Sequence, residues 1–124
     1  MKALEYLDEA ERRQLPVTEE FIKKIHAIVK IPHSRRPRVS EYREEQNQVG
    51  SRNAPRFYLL SEWKNVPVLM EDLVAWINSP ETYSIPTPIK AGIFMWQFLN
   101  IHPYMNGNGR TGRILPSTPV RPAP

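Results

Sequence analysis

Cysteine is absent from the 124 residues. That gap excludes a disulfide framework, zinc held by thiolates and a cysteine nucleophile, and it leaves the redox compartment open. Long apolar runs are missing too. None approaches the roughly 18 residues that a membrane-spanning helix needs, so no membrane partner is expected. The opening stretch MKALEYLDEAERR puts acids where a secretory signal needs an apolar segment, which makes a cytoplasmic location the default expectation. Internal repeats are lacking. A surplus of one sign of charge is small as well: 17 Lys and Arg face 13 Asp and Glu, a net +4, so the placement of the charges matters more than their sum.

What the chain does hold is bulk. Three Trp, five Tyr and four Phe in a 40% hydrophobic sequence suffice for the core of one small domain. The densest basic run is His33-Ser34-Arg35-Arg36-Pro37-Arg38. It reads either as a solvated loop or as a patch for nucleic acid or an acidic partner. Glu41, Glu44 and Glu45 follow directly, and no aromatic residue is interleaved for stacking on single strands. The loop reading is favoured.

Three helices are legible. Thr18 is a plausible N-cap, and Phe21, Ile22, Ile25, Ile28 and Val29 recur at helical spacing until Pro32 forbids continuation. His26 lies within this helix and is read as a packed or capping residue. From 33 to 65 no period is sustained, and the stretch reads as loop with Phe57-Tyr58-Leu59-Leu60 as a short strand or hairpin arm. Pro67 suits the first turn of a second helix, 66 to 78, with Val66, Leu69, Met70, Leu73, Val74 and Ile77 on one face. A third, 87 to 100, has Thr87 as cap and Pro88 at its first position. Its apolar residues, among them Ile93, Phe94, Met95, Trp96 and Phe98, go all round, which predicts a helix in the middle of a bundle.

Directly after it comes Ile101-His102-Pro103-Tyr104-Met105-Asn106-Gly107-Asn108-Gly109-Arg110-Thr111-Gly112-Arg113-Ile114-Leu115. A His ends a helix, glycines permit positive φ and close backbone approach, and a basic helix start is expected from Arg110 to Leu115. Free N–H groups there, with Arg110 and Arg113 three apart on one face, spell a polyphosphate site with a His beside it. Gly107, Gly109 and Gly112 also match G-x-G-x-x-G, but a helix rather than a strand precedes them. The Walker A spacing fails because Arg113-Ile114 stands where Lys and Ser or Thr are needed. A plain turn between helices would explain two glycines and leave the His, Asn and two Arg without a reason.

HPYMNGNGRTGR resembles the signature of the Fic family: His-Pro-Phe, any residue, Asp or Glu, Gly-Asn-Gly-Arg, two residues, Arg. The resemblance covers most of residues 18 to 115, including the Tyr42-Arg43 pair. It implies an all-α helical bundle with a short β-hairpin flap within about Gly50 to Lys64, where target peptides dock by strand addition. Of the activity it implies AMP transfer from ATP to a Ser, Thr or Tyr hydroxyl of a target protein. On the matching positions, His102 is the general base, and Pro103 and Tyr104 anchor the loop, Tyr104 standing where the family usually has Phe. Gly107, Asn108 and Gly109 form the anion hole for the α- and β-phosphates, and Arg110 and Arg113 bind the distal phosphates. Asn106 replaces the family's Asp or Glu, the residue that holds Mg²⁺. Ser/Thr-x-x-x-Glu-Gly/Asn, an inhibitory motif of many relatives, is not found in the sequence.

The resulting expectation is a Fic-like domain over 1–115 that lacks the helices following the signature, then a Pro-rich disordered tail over 116–124. Its co-substrate is ATP, with Mg²⁺, and its partner is a target protein. A homo-oligomer or an inhibitory protein are further candidate partners. The alternative is a catalytically weak or inactive fragment serving as a nucleotide- or target-peptide-binding module. A small basic nucleic-acid binder ranks below both.

Overall fold

The computed structural model describes residues 3–13, 15–30, 38–45 and 61–115, and within them every regular element is helical. In chain order these are α1 (Ala3–Arg12), α2 (Glu19–Lys30), α3 (Val66–Ile77), α4 (Thr87–Ile101) and α5 (Asn108–Ile114), with single 3-10 turns at Trp63–Asn65 and Pro80–Thr82. The all-α expectation therefore holds. The expected strand at 57–60, most of the flap, the basic run up to Pro37 and the tail 116–124 lie outside the described residues. No described helix is long and apolar enough to cross a membrane.

Each helix starts and stops for a local reason. Thr18 Oγ1 accepts from the Phe21 N–H at 3.0 Å, satisfying one of the donors that open α2. Glu19 and Glu20 sit in its first turn and Lys30 in its last, as the helix dipole favours. α3 carries proline in its first turn. Its end is tied to the entry of α2 by Asn78, whose Nδ2 donates to Val17 O at 2.7 Å and to Val74 O at 3.0 Å. α4 begins one residue earlier than expected: Pro86 is the cap position and Thr87 is already helical. α1 has no counterpart among the sequence expectations. It buries Leu7 and Ala10 against α2, with Tyr6 tilted over Phe21 at 5.7 Å between ring centres.

One core joins all five helices. Phe21, Ile22, Ile25 and Val29 of α2 meet Val66, Met70, Leu73 and Ile77 of α3, and Phe94, Phe98 and Ile101 of α4 close over them with Tyr104 and Leu115. α5 packs on both α2 and α4. It comes so near α4 that a Cβ on Gly112 would lie 3.0 Å from Leu99 Cδ2 and 3.3 Å from Phe98 Cδ1. Only a glycine there allows that approach without displacing core side chains.

α4 reads as a helix for the middle of a bundle, in a chain expected to lack the helices that follow the signature, and among the described residues its apolar surface is covered on one side. Ala91, Phe94, Phe98 and Ile101 are buried, whereas Ile89, Ile93 and Trp96 stand 56%, 37% and 60% exposed. Composition around a helix does not say how many neighbours it has, and here the described helices cover one side only. The two faces should respond oppositely to truncation. Phe98→Ala is expected to cost about 3–5 kcal/mol, as for a large aromatic removed from a closed core. Trp96→Ser, on the exposed face, should stay within about 0.5 kcal/mol of the parent. Urea midpoints of the two variants check this.

Candidate functional site

The site begins where α4 stops. His102 takes a left-handed conformation, φ 50° and ψ 61°, and its N–H still closes the helix on Phe98 O at 2.9 Å. It is the one non-glycine residue with positive φ among those described, a conformation that costs a side-chain-bearing residue of order 1 kcal/mol or more. Arg43 holds it there. Its backbone N–H donates to Pro103 O at 2.8 Å, Nε to His102 O at 2.6 Å, Nη2 to Ile101 O at 3.2 Å and also to Ser61 O, and Nη1 to Glu45 O at 3.1 Å. Every partner named is a backbone carbonyl. The guanidinium thus fills the acceptors that a helix end leaves open and faces the negative end of the α4 dipole.

Arg43 also acts on the imidazole beside it. His102 is half-buried, and its pKa is lowered first by that burial and second by the positive charge of Arg43. Both causes favour the neutral ring, with its lone pair free to accept a proton.

The loop after His102 is closed by its own residues. Asn108 is buried and spends its whole amide on one neighbour: Oδ1 accepts from the Tyr104 N–H at 3.0 Å, and Nδ2 donates to Tyr104 O at 2.6 Å. Tyr104 is itself buried, stacked on His26 with ring centres 3.7 Å apart and planes 13° from parallel. Its hydroxyl is enclosed with no hydrogen-bond partner among the described residues, and burial pushes its pKa up. His26 reaches from α2 to donate Nε2–H to Asn106 O at 2.8 Å, which leaves Nδ1 enclosed and without a partner among the described residues. Burial lowers the pKa of His26, outweighing the hydrogen bond to Asn106, with Lys30 adding to the lowering. His26 is thus a packed residue that fixes the loop.

Gly107 supplies the second left-handed turn, at φ 78°, and α5 starts at Asn108, two residues before the expected Arg110. A Cβ on Gly107 would fall 3.1 Å from His26 Nε2. Glycine is needed there for its backbone angle and for the closeness of the imidazole. Beside this turn opens a cleft of about 520 Å³ lined by Lys30, Asn106, Gly107, Gly109, Arg110 and Arg113.

The expected site residues fall into three groups, His102 standing apart as a half-buried residue that is not among the cleft's lining. Asn106, Gly107, Gly109, Arg110 and Arg113 share the cleft, whereas Pro103, Tyr104 and the Asn108 side chain are buried beneath it. Sequence reasoning missed Lys30 and gave no role to Arg43. The signal for Lys30 was present as a cation in the last turn of a predicted helix. The Mg²⁺ implied by the resemblance is not matched by protein ligands: the Asn106 side chain offers a neutral amide, its backbone oxygen is taken by His26, and the charged lining is cationic. Among the described residues no three His, Asp or Glu gather to hold a metal.

A model of the Fic/DOC family matches residues 16–118. The proteins named protein adenylyltransferase Fic of Drosophila virilis and of Drosophila mojavensis are each 28% identical over 116 residues, 94% of this chain and 22% of theirs. The chain therefore spans about a fifth of the length of those relatives. A crystal structure of a Fic-domain-containing signaling protein from Bacteroides thetaiotaomicron superposes with a TM-score of 0.73 at 28% identity, covering 92% of this chain and 42% of that one.

The Asn108 amide should carry much of the loop's stability. Asn108→Ala leaves a buried N–H and a buried C=O of Tyr104 without partners, a loss of about 2–6 kcal/mol at roughly 1–3 per group. Chemical denaturation at neutral pH measures it. Asn108→Asp should be destabilised as well, because it replaces the donor to Tyr104 O with a second acceptor.

Proposed function

Because the chain belongs to the Fic/DOC family, we propose that it is a protein adenylyltransferase domain, which moves AMP from ATP to a Ser, Thr or Tyr hydroxyl of a target protein in the cytoplasm. The observation that carries this reading is a juxtaposition: a histidine kept neutral by burial and by Arg43, followed within one closed loop by a cleft lined with Gly107, Gly109, Arg110 and Arg113. The adenylyltransferase names of the relatives support the same chemistry.

In this reading the nucleotide's phosphates occupy the cleft. The first N–H groups of α5, at Asn108 and Gly109, have no partner within a helix and face the α- and β-phosphates. Arg110 and Arg113 grip the distal phosphates through forked donors. The target hydroxyl gives its proton to the neutral ring of His102 as its oxygen bonds to the α-phosphorus. The bond from that phosphorus to the bridging oxygen breaks, and pyrophosphate leaves with the electron pair. Charge developing on the leaving group is met by donors already in place, the largest general source of acceleration in phosphoryl chemistry. A second reading, nucleotide binding without transfer, is favoured by the neutral Asn106 and is separated from the first by the same assay.

That assay supplies ATP labelled on the α-phosphate together with a cell extract. Label should enter protein, and His102→Ala should slow its entry roughly 10²- to 10⁴-fold while ATP affinity is retained. ATP binding with no label transfer by the parent would establish the second reading. Acid should silence the parent as well, since transfer needs unprotonated His102 and falls as pH drops through its pKa. That pKa is lowered, so the acid limb of the rate profile should lie below the ordinary imidazole range near 6.5. A limb at or above that range would contradict the assignment of His102.

A further inference from the structure

Among the described residues, three cationic side chains and no carboxylate line the cleft beside Gly107. Arg110 and Arg113 belong to α5. Lys30 comes from the far end of the sequence, as the last residue of α2. Two contacts place it. Its Cβ lies 4.0 Å from the point where a side chain on Gly107 would begin, and its Nζ donates to Ser40 Oγ at 2.5 Å. An ammonium has three donors, and among the described residues only the one given to Ser40 has a partner. Among the described residues no carboxylate forms an ion pair with it, the ion pairs there being those of Glu9 with Arg12 and Arg13.

Charge then decides what the cleft can hold. A hard divalent cation depends on the number of anionic oxygens around it, and among the described lining residues the one oxygen-bearing side chain, Asn106, is neutral. Three positive charges repel a free cation and attract phosphate oxygens. We infer that Lys30 is a third phosphate-binding residue and that, with Arg110 and Arg113, it supplies the neutralisation a divalent ion would otherwise bring, so that the site takes a nucleoside triphosphate as the metal-free polyanion. The inference rests on the nucleotide-transfer reading above and names the form of the co-substrate. Lys30 suits the task as a compact charge on a flexible stem, able to follow an oxygen that the forked Arg side chains do not reach.

The test is calorimetric titration of the 124-residue chain with ATP, once in excess EDTA and once in excess magnesium chloride, with thermal melts confirming that each variant is folded. The parent should bind ATP in EDTA at least as tightly as in magnesium. Lys30→Gln should weaken binding in EDTA roughly 10- to 100-fold, the loss expected of one charge-assisted hydrogen bond. Lys30→Arg, which keeps the charge, should restore most of it, and Asn106→Asp should shift the preference towards magnesium. Binding by the parent only when magnesium is present overturns the inference, as does Lys30→Gln binding metal-free ATP as tightly as the parent. Arg113→Ala separates the two levels. If it abolishes ATP binding while the Lys30 variants bind like the parent, the nucleotide site stands and the role of Lys30 falls. If ATP binding is absent under both conditions, or unaffected by Arg113→Ala, both readings fall together.

Discussion

The end of α4 is the constraint on which the site depends. A helix that stops inside a protein leaves carbonyls pointing at whatever comes next, and if they are buried they need donors. Arg43 meets that need with one side chain, donating to the carbonyls of Ile101, His102 and Ser61 while its own backbone bonds Pro103. The segment before α3, the end of α4 and the start of the loop are thereby locked to one planar group. Its five donors sit in a rigid fork, a geometry that lysine does not reproduce. Among the described residues the charge has backbone acceptors rather than a carboxylate bonded to it, and its field bears on the protonation of His102.

Beneath the cleft lies a different kind of order. His26, Tyr104 and Asn108 form a packed layer in which one imidazole, one phenol and one amide are enclosed, and only the amide is fully satisfied. The enclosed lone pair of His26 and the enclosed hydroxyl of Tyr104 each carry a desolvation cost. What offsets it is the fixing of Asn106 and Gly107 by His26, through one hydrogen bond and one close contact. The layer trades polar satisfaction for position.

Much of this was legible in the sequence, and the remainder was hidden for identifiable reasons. α2, α3 and α4 announced themselves because each combines a starting signal, Thr18 or an early proline, with an apolar period and a stop. α1 gave too little signal: Leu7 and Ala10 are its buried apolar residues, less than one turn apart. Which side of α4 the described helices cover was illegible, since a helix apolar all round offers no face to distinguish. The signature segment was found by spacing, yet spacing could not show that the Asn108 side chain turns inward to Tyr104 while Gly107 and Gly109 line the cleft. Arg43 and Lys30 were hidden by separation along the chain. Each acts on atoms that only folding brings near, and a residue type alone does not say whether a cation will cap a helix, line a cleft or face water.

His102 stands where backbone energetics would choose otherwise. A left-handed residue at a helix end is most often glycine, which enters that region without steric penalty. A glycine at 102 would relax the turn and remove the only ionisable side chain that this turn presents. The chain thus keeps the one left-handed non-glycine angle among its described residues under the residue proposed to handle the proton, and part of the stability the fold could have had is forgone at that position. Selection for a sturdier protein and selection for a working one would pull this codon in opposite directions.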